Sequence, residues 1–157
     1  MTHTALYDSS IGPITLTFDG ESLTGLRFGK TNDNFASTLN AKHLSLNTTI
    51  RWLDIYFSGQ QPDFLSPIKQ YGTDFQLRIW QALLGIPYGE TLSYGELAHC
   101  IGCRSAQAVG QAVSRNPISI IVPCHRVIGS DGSLVGYEWG LAKKQYLLQL
   151  EKQHNSI

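Results

Sequence analysis

Hydrophobic and polar positions alternate along residues 4–28 in the manner of β-strands. Ile14, Leu16 and Phe18 share one face, Asp19-Gly20 follows, and Leu23, Leu26 and Phe28 continue beyond it. Alternation on both sides of an Asp-Gly pair predicts a hairpin, because glycine supplies the positive φ that a tight turn requires. The period then changes. Ile50, Leu53, Tyr56 and Phe57 stand at helical spacing and predict a helix over 47–58, ended by Gly59. Residues 60–70 hold Pro62 and Pro67 and read as a linker, so the chain divides there into two parts, 1–65 and 73–157.

The second part reads as mainly helical. Thr73 or Asp74 can cap a helix that carries Phe75, Leu77, Ile79, Trp80, Leu83 and Leu84 and stops before Gly85 and Pro87. Ser93-Tyr94-Gly95-Glu96 has the spacing of a capping box and opens a short helix over 94–100, ended at Gly102. Ser105 opens another, to about Arg115. Two short helices joined by a tight glycine turn have the form of a helix-turn-helix, a pattern that also serves plain helix packing. Ile121–Ile128 is an apolar run with strand character, and a last helix spans 141–152 with Leu147, Leu148 and Leu150 expected on its core side.

The 157 residues suffice for a buried core. No apolar run approaches membrane-spanning length, and no basic segment followed by an apolar one marks a secretory leader. Three cysteines, an odd number, argue against a disulfide framework and for a reducing, cytoplasmic setting. Cys100 and Cys103 form a C-x-x-C pair, but no second ligand pair accompanies them and the histidines show no ligand spacing, so no metal is expected. Twelve Lys and Arg balance twelve Asp and Glu. Residues 1–70 carry five basic against six acidic side chains and 71–157 seven against six, so any binding to nucleic acid must rely on a local patch, helix N-termini and insertion into a groove, with modest and steeply salt-dependent nonspecific affinity.

The apolar run contains Pro123-Cys124-His125. A thiol becomes a strong nucleophile only as thiolate, and a nearby imidazole is the common way to generate one near neutrality. Adjacency alone does not establish the pair, since successive residues of a strand point to opposite faces and most cysteines only pack.

The stretch Asn116–Ile128, with Gly136-Tyr137, Gly140, Lys144, Leu147-Leu148 and Glu151, resembles the signature of the O6-alkylguanine-DNA alkyltransferases. Phe75–Trp80, Ile86–Thr91 and Ser93-Tyr94-Gly95 fit the same family, and Gly12–Leu16 and Trp52–Gly59 are similar to it more loosely. The resemblance implies an α+β protein: a small ribonuclease-H-like sheet-plus-helix domain followed by the mainly helical active domain with its helix-turn-helix. It implies direct, stoichiometric transfer of the alkyl group of O6-alkylguanine in double-stranded DNA (mainly O6-methylguanine, with O4-methylthymine a further substrate) to Cys124. No cofactor is needed, and the protein is expected to act as a monomer from the minor groove.

By the same resemblance His125 takes the thiol proton through a water, Glu151 orients His125, and Asn116 braces the adjoining turn. Tyr94 contacts the guanine and helps rotate it out of the helix. Arg126 is expected to be structural. Val122, Pro123, Tyr137, Glu138 and Trp139 are expected around the base. Ala106, Gln107, Arg104 and Arg115 are expected at the DNA. The sequence departs from the family pattern at Gln107, where most members carry an arginine that fills the gap left by the flipped base. Gln107 is expected to fill the stack while Arg104, on a similar helical face if the helix has begun there, contacts a phosphate; the alternative for Arg104 is a solvated turn residue. It departs again at Glu138-Trp139, where many members have small residues. Trp139 is expected to narrow the pocket and disfavour bulky O6-benzyl substrates. A non-catalytic lesion-binding protein of the same fold, a Cys-His hydrolase and a regulatory helix-turn-helix protein are the rival readings. The first would lack Cys124, the second would need an oxyanion hole, and the third would not keep a buried Pro-Cys-His.

Overall fold

The computed structural model describes residues 2–30 and 43–154, and Cα packing divides the chain into two compact units, 1–70 and 71–157. In the first unit β1 (Thr2–Ser9), β2 (Gly12–Asp19) and β3 (Ser22–Phe28) form an antiparallel sheet in that order. Asp19 pairs with Ser22 across a two-residue turn in which Gly20 takes φ 60°. Ile14, Leu16, Phe18, Leu23 and Leu26 are buried, as are Leu46, Thr49, Leu53 and Tyr56 of α1 (Leu44–Phe57). The helix starts three residues earlier than its apolar spacing suggests, because the His43 imidazole accepts from Leu46 N at 3.0 Å and caps it. Residues 66–69 are not a free linker. Leu23 N donates to Pro67 O at 2.7 Å and Lys69 N to Leu23 O at 2.9 Å, so the segment is bound to β3. Met1 and residues 155–157, the ends of the two expected parts, lie outside the described residues.

The second unit contains α2 (Asp74–Leu84), β4 (Leu92–Ser93), α3 (Tyr94–Cys100), α4 (Ala106–Ser114), a turn of 3-10 helix at Cys124–Arg126, β5 (Val127–Ile128) and α5 (Leu141–His154). Thr73 and Gln76 form a capping box on α2, as Ser93 and Glu96 do on α3. The buried Trp80 donates from Nε1 to Ala112 O at 2.8 Å, fixing α2 against α4. β4 and β5 pair in parallel, Leu92 with Val127 and Ser93 with Ile128, which brings the start of α3 beside the Cys-His turn.

Two expectations for this unit are corrected. Residues 121–126 are not a strand: the chain coils through turns and only Val127–Ile128 is extended. The inner face of α5 is Lys144, Leu147 and Glu151, all fully buried, whereas Leu148 and Leu150 are half-exposed. Spacing of three and four along one helix face accounts for this set. A buried cation and a buried anion therefore line the side expected to be leucine.

Candidate active site

Asn116 shapes the turn that carries the thiol. Its side chain is buried, receives Ile118 N at 3.0 Å on Oδ1, and donates from Nδ2 to Val122 O at 2.8 Å and Ile118 O at 3.3 Å. These bonds replace the ladder that a strand would have supplied. They hold Ile120 at φ 72°, a left-handed conformation that a β-branched residue rarely adopts. Pro123 has no N–H to give and precedes the 3-10 turn. Cys124 and His125 are therefore neighbours on a tight helical turn, not on opposite faces of a strand.

His125 and Glu151 are both wholly buried, and Nε2 lies 2.6 Å from Glu151 Oε2. Arg126 completes the cluster: Nε donates to Glu151 Oε1 at 2.8 Å, Nη2 to Oε2 at 3.2 Å, and Nη1 to Ile86 O at 2.7 Å. Gly89 N adds a fourth bond to Glu151 at 3.1 Å, and the Arg126 guanidinium lies over the Tyr88 ring. Burial alone would raise the Glu151 carboxyl, but bonding and charge from His125 and Arg126 overcome it and hold the group at about 2. Burial lowers the His125 imidazole below 6.5 against the pull of Glu151, so the ring is neutral at pH 7 and the lasting counter-charge is Arg126. A neutral ring that donates from Nε2 to a carboxylate carries its lone pair on Nδ1, the arrangement of a base.

Lys144 is the second buried cation. Its three N–H groups meet three carbonyls: Val127 O at 2.5 Å, Val135 O at 2.8 Å and Gly136 O at 3.4 Å. It thereby ties the loop after Ile128 to the Cys-His turn. Burial lowers it to about 8, opposed by attraction to Cys124. The Tyr94 hydroxyl donates to the same Val135 and Gly136 carbonyls at 3.3 and 3.1 Å. Gly136 takes φ 61°, and a Cβ there would stand 3.2 Å from Tyr94 Oη, so both conformation and contact require glycine. Burial pushes the Cys124 thiol up to about 11, against the lowering effects of Asn116 and Lys144, while Glu138 adds to the rise. The resting group is a thiol, and its reaction needs a base.

An open cleft of about 760 Å³ is lined by Tyr94, Gly136, Tyr137 and Glu138 on one side and by Ala106, Gln107, Gly110, Gln111 and Ser114 of α4 on the other. Several expected positions fall elsewhere. Val122 and Pro123 are buried behind the turn, and the Val122 carbonyl already accepts from Asn116 Nδ2 and from Cys124 N, which occupies both its lone pairs. Trp139 does not line the cleft. It is half-buried and donates from Nε1 to Ser119 Oγ at 2.9 Å. Arg104 is exposed but precedes the Ser105 cap, so it shares no helical face with Gln107. Arg115 caps the far end of α4 and lines a separate, smaller groove.

The sequence matches two family models, 6-O-methylguanine DNA methyltransferase, ribonuclease-like domain, over residues 2–70, and 6-O-methylguanine DNA methyltransferase, DNA binding domain, over residues 74–153. The chain belongs to the O6-methylguanine-DNA methyltransferase family. A Mycobacterium leprae methylated-DNA–protein-cysteine methyltransferase is 47% identical over 154 residues, which is 97% of this chain and 93% of that one. A Methanosarcina acetivorans protein of the same name is 45% identical over 94% of this chain and 96% of its own. The crystal structure of Mycobacterium tuberculosis OGT in complex with DNA superposes with TM-score 0.85 at 45% identity, covering 97% of this chain and 94% of that one. The α+β architecture is that of the family.

In this methyltransferase the structure brings together Cys124, His125, Glu151, Asn116 and Tyr94. Sequence reasoning missed two members of the site. Arg126, read as merely structural, is the counter-ion that keeps Glu151 ionised. Lys144 fastens the cleft loop, and its spacing of seven from Glu151 is the signal that could have placed both on one helix face.

Proposed function

We propose that this chain repairs DNA directly, moving the alkyl group of O6-alkylguanine to Cys124 in a single turnover. The carrying observation is a buried thiol beside a neutral imidazole that a buried, ionised carboxylate orients. Sγ attacks the alkyl carbon, the S–C bond forms as the C–O6 bond breaks, and the released guanine keeps its electron pair. The thiol proton passes through a water to His125 Nδ1 and on to the guanine. The product thioether has no thiolate to regenerate, which ends the reaction.

The target atom lies inside the duplex, so the nucleotide must rotate into the cleft. Tyr94 stands at its wall, and burial raises its hydroxyl, which stays a donor. The hydroxyl exchanges its loop carbonyls for the base. Glu138 and Tyr137 flank the base, while Ala106 and Gln107 on the opposite rim meet the DNA from its minor groove. Arg115 meets a phosphate. The protein works as a monomer in a reducing intracellular compartment, where its three cysteines stay thiols; none is in a disulfide.

Single-turnover titration tests this. Duplex carrying a labelled O6-methyl group should transfer at most one label per chain, and none to Cys124→Ala. Release of labelled methanol over many turnovers would replace the reading with hydrolysis. Tight lesion binding without transfer would replace it with lesion sensing.

A further inference from the structure

We propose that Gln111 is a second DNA-reading residue, whose amide hydrogen-bonds base edges in the minor groove one helical turn beyond Gln107. The inference rests on the DNA-repair reading above. Gln107, Gln111 and Arg115 recur every fourth residue, about 6 Å apart along α4, and so form one row. All three are exposed, while Val109, Ala112 and Val113 face inward. Gln111 lines two hollows at once: the cleft with Tyr94 and Tyr137, and a groove of about 170 Å³ with Thr73, Phe75, Gln76 and Arg115. It therefore stands on the crest between them, the part of α4 that enters first whatever covers both.

The crest is uncharged, and so is its surrounding surface on balance. With Arg126, Lys144 and Glu151 buried, residues 71–157 leave five basic and five acidic side chains outside that buried set. With no net positive charge outside that set, few phosphate contacts are available around α4, so contacts to base edges can add a measurable share of the affinity. A glutamine amide both donates and accepts, which suits the minor groove with its N3 and O2 acceptors and the guanine N2 donor. Arg115, one turn further, falls where the row leaves the groove for the backbone.

The test measures equilibrium binding to an undamaged duplex at several salt concentrations, and the urea midpoint of each variant. Gln111→Ala should bind about tenfold more weakly with an unchanged salt slope, and Gln111→Leu should lose as much despite its bulk. Both should keep the wild-type urea midpoint, since the side chain is exposed. Arg115→Ala should lower the slope by about one. Wild-type affinity in Gln111→Ala, a changed slope, or a binding loss matched by a lowered midpoint would each overturn the assignment while leaving the repair reading intact. A wild-type chain that takes no methyl group from DNA would remove both.

Discussion

Replacing Glu151 by glutamine tests the buried cluster most severely. The carboxylate accepts four bonds, from His125, Gly89 and twice from Arg126, with no exposed surface. The carboxyl sits at about 2, against an ordinary 4.5. A carboxyl depressed by folding contributes stability that is fully present above pH 4.5 and is lost as pH falls toward 2. That shift corresponds to about 3 kcal/mol. Stranding the buried Arg126 guanidinium without its anion gives a similar figure, about 3–5 kcal/mol. Urea unfolding at pH 7 should therefore show a loss of about 3–5 kcal/mol in Glu151→Gln, and its stability should no longer fall steeply between pH 4.5 and 2. The double variant Glu151→Gln with Arg126→Met should regain much of that stability, because neither charge is then left alone. It should still transfer alkyl groups poorly, because nothing fixes the His125 tautomer. A single variant as stable as wild type at pH 7, with the acid limb unchanged, would refute the reasoning.

Other substitutions probe the remaining parts. In His125→Ala the thiol, at about 11, loses its base, so log rate should rise with unit slope over pH 6.5–7.5 while wild type stays flat; a flat variant profile in single-turnover assays would argue against His125 as base. Lys144→Met should slow transfer even from free O6-methylguanine. Wild type should slow above pH 8 as Lys144 loses its proton, a limb that the variant should lack; its persistence would point to another group. Asn116→Ala leaves Ile118 N and Val122 O short of a buried partner and releases the support for Ile120, so the urea midpoint should drop by the equivalent of about 2–4 kcal/mol. An unchanged midpoint would show that the turn holds itself.

The local chemistry of the fold was legible. Asp19-Gly20 marks its hairpin, and Thr73 with Gln76 and Ser93 with Glu96 mark helix starts, because each rests on neighbours in the chain. Long-range effects were hidden. Ile121 and Val122 have strand propensity, but Asn116 supplies bonds from outside the run and Pro123 removes one within it, so the segment coils. The leucine spacing of α5 does not reveal that Lys144 and Glu151 are buried in place of Leu148 and Leu150, because that burial depends on the Val127, Val135 and Gly136 carbonyls and on Arg126, all distant in sequence. Arg104 would share a helical face with Gln107 only if the helix had begun there, and the Ser105 cap starts it at Ala106. Cys124, His125 and Glu151 were nameable through the family pattern; that Trp139 is held by Ser119 required the packing.

The central claim concerns one bond, between Sγ of Cys124 and the alkyl carbon. Intact-protein mass spectrometry after incubation with an O6-methylguanine duplex, beside an undamaged duplex, measures it directly. The account predicts a gain equal to one methyl replacing one hydrogen, mapped to Cys124, never exceeding one per chain and absent with the undamaged duplex. An unchanged mass, or a methyl group on any other residue, would contradict it.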